Sequence, residues 1–153
     1  MKKTVLDAEA LSAIRERIGK IKPDSQRLWG KMNAAECLCH MADQIRMTLG
    51  HLPVKDQSTF MSRSLVKMLV MAGMPAPKGK VETAPEINTQ LQGTKPTEFE
   101  ADRRALLGFI EEFLKTSETF RYQVHPFFGT LSRKQWGKLI YTHLDHHLSQ
   151  FGC

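Results

Sequence analysis

Nothing in this chain is both long and apolar. The most hydrophobic window, Leu65 to Met74, is preceded by Arg63, contains Lys67 and is too short to cross a bilayer, so no membrane partner is expected. Met1-Lys2-Lys3 leads into no apolar run, so no secretory signal is read and the expected compartment is the cytoplasm. Cysteine is scarce as well. Cys37, Cys39 and Cys153 make an odd number without a disulfide framework, which suits a reducing compartment. Cys37-Leu-Cys39 lacks the two-residue gap of a redox or zinc-knuckle pair. Charge of one sign is nowhere concentrated. The net charge is +6, yet no basic run exceeds Lys2-Lys3 or Arg103-Arg104, so no nucleic-acid partner is expected. The G-x-S-x-G elbow, the phosphate loop and the dinucleotide fingerprint are all missing. Strand alternation is nearly absent too: Tyr122-Gln-Val124 is the one short strand-like run, and there is no internal repeat.

What is present is helical. The chain has 153 residues, 41% hydrophobic and 25% charged, which predicts a single soluble domain over 1–153. Leu11, Ile14, Ile18 and Ile21 recur at helical spacing from Asp7, and Pro23 stops them, giving a helix near 7–20. Asn33-Ala-Ala-Glu36 is a capping box that opens a helix ending at Gly50, with Ala34, Leu38, Met41, Ile45 and Leu49 as its stripe. Trp29, just ahead of it, reads as a core anchor. A shorter accessory helix is expected near 58–72, burying Met61, Leu65, Met68, Leu69 and Ala72, with Gly73 and Pro75 ending it. Pro75, Pro77, Gly79, Pro85, Gly93 and Pro96 then punctuate a long crossover over 73–96. Thr97-Glu-Phe-Glu100 reads as a third capping box, opening a helix to about Thr116. Ser132 with Gln135 starts the last helix, near 132–150. The expected fold is all-α.

The last helix carries the chemistry. With His143 set at 0°, about 100° per residue puts Trp136 near 20°, His147 near 40° and Leu139 near −40°, so two histidines occupy the centre of the apolar face. His146 falls at its edge, near −60° on the same wheel, and Asp145 points to water. Two histidines four residues apart can share a metal ion, or can be hydrogen-bonded core residues; a pair on one apolar stripe favours the metal. His40 lies about 120° off the stripe of its own helix, on a strip with Glu36, Gln44 and Met47 that either lines a cavity or is wet.

With His40, the turn His125-Pro-Phe-Phe-Gly129, Trp136 and the run His143-Leu-Asp-His-His147-Leu-Ser-Gln-Phe-Gly152 in view, the chain resembles the DinB/YfiT-like superfamily, from Trp29 onward. It is most similar to a branch of unassigned function. The C-terminal block is specific and the ECLCHMAD stretch around His40 is looser. The resemblance implies a four-helix bundle with a long crossover. It also implies a divalent metal on three histidines; by position these are His40, His143 and His147, while the helical wheel leaves His146 outside, and three imidazoles suit zinc or nickel. Many members have arginine where this chain has Leu148-Ser149. Relatives include transferases and isomerases that use low-molecular-weight thiols, so the resemblance points to a metal-dependent thiol transferase or hydrolase acting on a small molecule. The alternative is a non-catalytic metal-binding or stress-response protein holding a structural ion. A homodimer is compatible with either.

Three imidazoles leave a position open for water or a thiol. Glu36, Asp43 and Gln150 are placed to orient the ligand rings, and Cys37 or Asp43 could close the site as a fourth ligand. His125, held extended by Pro126, is the candidate catalytic residue, at the mouth of the metal cavity. Its plain reading is a hydrogen bond to a helix end.

Overall fold

The computed structural model describes residues 3–74 and 83–153. The expected punctuation at Pro75, Pro77 and Gly79 lies outside the described residues. Four long helices form: α1 (Ala8–Lys20), α2 (Ala34–Leu49), α4 (Phe99–Lys115) and α5 (Arg133–Ser149). Between α2 and α4 come a π-helical turn (Ser62–Val66), the short α3 (Lys67–Met71) and a 3-10 turn (Pro85–Ile87). Among the described residues there is no strand, only a bridge between His125 and Gly129. The fold is all-α, as expected.

Local chemistry sets the helix ends. Both capping boxes expected for α2 and α5 are present, with Asn33 and Ser132 accepting from the third backbone N–H and Glu36 and Gln135 reaching back. The box expected at Thr97 does not form. Asp102 takes both the backbone N–H and the hydroxyl of Thr97, and Glu98 becomes the cap of α4 one residue later, accepting from Glu100 N and Ala101 N. With both of its groups held by Asp102, Thr97 is not free to cap, and the helix starts beyond it.

α2 is the central element. It packs on α4 and α5, and the 3-10 turn docks on it. Its whole expected stripe is buried, but so are Cys37, Cys39, His40, Asp43, Gln44, Met47 and Thr48 on its other sides. A helix covered all round has no wet face, and this overrides the periodicity that left His40 ambiguous. The core joins α1, through Ile14 and Ile18, to Leu106, Ile110 and Phe113 of α4 and to Trp136, Ile140 and Leu144 of α5. Trp29 is only half-buried.

The accessory helix departs most from expectation. Met61, Leu65 and Met68 are 63, 50 and 59% exposed, and Ala72 is exposed as well. Besides Met71, which packs against the core, the segment meets the body through polar contacts: Ser62 Oγ donates to Phe127 O at 2.5 Å and Lys67 Nζ to Thr130 O at 2.8 Å. The π turn supplies the reason. Its wider winding rotates side chains after it relative to those before, so a stripe drawn at constant pitch misses the face that meets the protein.

α5 is tied down at its far end. Arg17 of α1 donates to Asp145 Oδ1 (2.5 Å), Asp145 O (3.3 Å), Ser149 Oγ (3.2 Å) and Cys153 O (2.9 Å). Asp145 therefore serves α1 and does not simply point to water. At the other end, a Cβ on Gly137 would stand 2.6 Å from Thr4 Oγ1, so glycine lets the N-terminal arm lie against α5. Arg17→Ala is expected to remove a positive group from the C-terminal turn of α5 and leave its carbonyls to water. The expected loss is about 1–2 kcal/mol, since half of the pair is solvent-exposed, lowering Tm by roughly 2–8 °C in a thermal melt.

Candidate metal centre

The centre lies on the seam of α2 and α5. The pairs Cys37 with His147 O and His40 with His143 step along the two helices in opposite senses, so the helices run antiparallel there. α2 brings one histidine to the seam; α5 brings two, one turn apart.

His40 is 2% exposed, and its Nδ1–H donates to Ile87 O at 2.7 Å. That assignment puts the proton on Nδ1 and leaves the Nε2 lone pair free. His147 is 8% exposed, and its Nδ1–H donates to Gln150 Oε1 at 2.7 Å, with the same consequence. Gln150 is itself held by the 28–30 loop, its carbonyl accepting from Leu28 N. His143 is half-buried, with Nε2 3.0 Å from His40 Nε2. The three ligand nitrogens lie within 4.8 Å of one another. The ring centroids are 4.5–4.8 Å apart.

These residues fit a metal ion on their own chemistry. Two bare imidazole nitrogens 3.0 Å apart repel unless a proton or a cation lies between them. If His143 supplied that proton from Nε2, its Nδ1 would be a buried acceptor, and that atom has no partner among the described residues. Two nitrogens each about 2.1 Å from one ion are separated by roughly 3.0–3.4 Å, which covers the observed spacing. All three rings are also neutral near pH 7, as ligands must be. Burial is the main cause in each: it lowers His40, drives His143 well below the usual range with help from His147 and His40, and brings His147 to about 3, with His40 adding to the effect.

Among the described residues, no fourth side chain joins the cluster. Cys37 sits beside it with Sγ 4.0 Å from His147 O, but burial pushes its thiol far up. Asp43 is engaged elsewhere, accepting from Thr94 N and Thr94 Oγ1 at 2.7 Å each and from Arg46 Nη1 at 2.9 Å. His146 stays outside, its ring edge-on to His147 at 5.1 Å and to Trp29 at 6.3 Å. Of the three residues expected to orient the ligand rings, only Gln150 does so. Glu36 is used by its capping box and Asp43 by Thr94 and Arg46. His40 is oriented instead by Ile87 O. A backbone carbonyl has no sequence signature; the nearest clue was Pro85, which starts the turn that presents it.

His125 sits apart in its own turn. His125 and Gly129 exchange backbone hydrogen bonds at 2.9 and 3.1 Å, closing the HPFFG segment into a small loop, and Gly129 has φ 69°. The ring stacks on Phe128 at 4.5 Å and lies 5.4 Å from Trp136. Burial, with Lys67 adding to it, brings its pKa to about 4, so at neutral pH the ring is uncharged.

Four histidines whose folded pKa values all lie below the ordinary 6.5 have one thermodynamic consequence. Below pH 6.5 the unfolded chain binds protons that the native state refuses, so native stability falls as pH drops toward about 4. Each such group contributes up to about 1.4 kcal/mol per pH unit in that window. Urea denaturation of metal-free protein should therefore give a clearly lower midpoint at pH 5 than at pH 7, and replacing His147 with Gln should flatten the difference.

Comparison with known proteins adds one finding. No curated protein and no solved structure matches the chain. A family model described as "Protein of unknown function (DUF1569)" matches residues 1–152. With essentially its whole length matched, and with its buried histidines gathered on the α2–α5 seam, the chain belongs to the DUF1569 family.

Proposed function

We propose that this chain is a divalent-metal-binding protein of the DinB/YfiT-like type, a four-helix bundle in which His40, His143 and His147 hold zinc or nickel. The observation that carries the reading is the convergence of three neutral imidazoles with no fourth protein ligand among the described residues. A donor set of this kind suits an enzyme acting on a small molecule, either a thiol transferase or a hydrolase. When bound, the ion would polarise a water or thiol in its open position.

The chain's own residues do the rest. Ile87 O and Gln150 Oε1 hold the Nδ1 protons of His40 and His147, so both rings present Nε2 to the seam without rearranging. The surrounding core excludes water from two of the three ligands. His143, the least buried of the three, forms the side through which a small molecule would enter. His125 is the residue proposed to meet it there. As a neutral ring at physiological pH it would orient a substrate rather than shuttle a proton. One observation favours the alternative, a structural ion: His40 and His147 are almost fully buried.

Elemental analysis of the purified protein tests the site. Wild type and His146→Ala should carry one divalent ion per chain, while His143→Ala and His147→Ala should carry little. Loss in His146→Ala with retention in His147→Ala would sink the ligand assignment. Cobalt-substituted protein then separates the two readings: 2-mercaptoethanol should add a thiolate-to-cobalt band in the near ultraviolet if the position is open, and should leave the spectrum unchanged if the ion is structural.

A further inference from the structure

The HPFFG turn fixes more than a backbone bend. Nδ1 of His125 accepts from two backbone groups, Phe127 N–H at 3.1 Å and Phe128 N–H at 3.2 Å. A ring nitrogen that accepts carries no proton, so the neutral imidazole keeps its proton on Nε2. The ring is only 8% exposed, yet Nε2 is not sealed from solvent and its N–H has no acceptor among the described residues. The turn thus presents one locked, unsatisfied donor.

A second donor stands beside it. Trp136 is fully buried, its ring lies 5.4 Å from that of His125, and its Nε1–H has no partner among the described residues. Buried N–H groups are nearly always paired, and an orphan here asks for an oxygen from outside the chain. The local charge says which kind. Lys67, whose ammonium rests on Thr130 O, adds positive charge at His125, and Arg63, paired with Asp56, lies against Gly129 of the same turn. Two N–H donors under a cation suit an anionic oxygen. Trp136 and His143 are both carried by α5, so the subsite and the three-histidine cluster share that helix.

We propose that His125 Nε2–H and Trp136 Nε1–H form a binding subsite for a small carboxylate, on the helix that also carries two of the metal-centre histidines, and biased toward anions by Lys67. This names the substrate class of the proposed enzyme as a carboxylate-bearing small molecule. It rests on the metal reading only for what the subsite would serve. The competing account is that His125 merely caps its own turn. Asparagine separates the two, because its Oδ1 can accept from the same two backbone N–H groups while offering nothing where Nε2–H stood.

The test is a titration of full-length protein with sodium acetate, against sodium chloride at matched ionic strength, followed by ¹H–¹⁵N spectra. Trp29→Phe assigns the two indole signals. The Trp136 indole proton is expected to move downfield and saturate in acetate and to stay still in chloride. His125→Asn should keep a native spectrum and weaken acetate by about tenfold or more, the loss of one charge-assisted hydrogen bond. Lys67→Gln, on the surface, should weaken it by a smaller factor. Absence of a saturable shift in wild type, or wild-type affinity in His125→Asn, would overturn the proposal. If that variant fails to fold, the wild-type protein decides: ring ¹⁵N shifts showing a proton on Nδ1 of His125 would also overturn it. The readout needs no metal. Failure of the metal reading would appear as absent zinc uptake with the acetate shift intact.

Discussion

Three imidazoles face one another across a single helix seam, and much of the structure follows from making that tolerable. Each ring has a second nitrogen that also needs an assignment. Ile87 O answers for His40 and Gln150 Oε1 for His147, at 2.7 Å each. Both answers constrain distant chain. The first requires the segment ahead of α4 to fold back and set a 3-10 turn against α2. The second requires the 28–30 loop to hold the residue after α5 in place. The loop, the segment around Ile87 and the last helix are thereby committed to one arrangement around the seam.

The crossover is anchored a second time by Asp43. Its carboxylate is fully buried, one helical turn from His40, and it takes three hydrogen bonds from Thr94 and Arg46. A buried carboxylate is tolerated only when it is satisfied in this way. The result is that the residues on either side of Ile87 have little freedom to withdraw the carbonyl that holds His40. An acid that looked like a metal ligand in the linear sequence acts as a fastener for the segment that orients one.

The helices and their ends were legible where local chemistry acts alone. Asn33 with Glu36 and Ser132 with Gln135 form the boxes their spacing announces. Thr97 failed because Asp102, five residues on, competed for it. The burial of α1, α4 and α5 followed the 3.6-residue period, since each has one wet face. α2 did not, because neighbours cover it on every side, and His40 was placed by resemblance and not by periodicity. The stripe on the accessory helix was misread because a π turn breaks the constant pitch that a helical wheel assumes. Within the site, side chains that meet side chains from one helix were readable, as with His147 and Gln150. Contacts made by backbone atoms, such as Ile87 O on His40 and the two amides on His125, have no letter in the sequence.

The seam also says something about how the molecule assembles. His40 and His143 are separated by 103 residues, so the two sides of the site meet only when most of the chain has been closed into a loop. Closing a loop of that length costs about 4 kcal/mol in chain entropy before any local term. Contacts of such long range lower folding rates, because the entropy is lost before the contact rewards it. During synthesis α5 leaves the ribosome well after α2, which waits with a solitary buried-type histidine until it arrives. The three-histidine arrangement is thus a late event in folding, and an assay sensitive to it would report completion of the whole fold rather than formation of its helices.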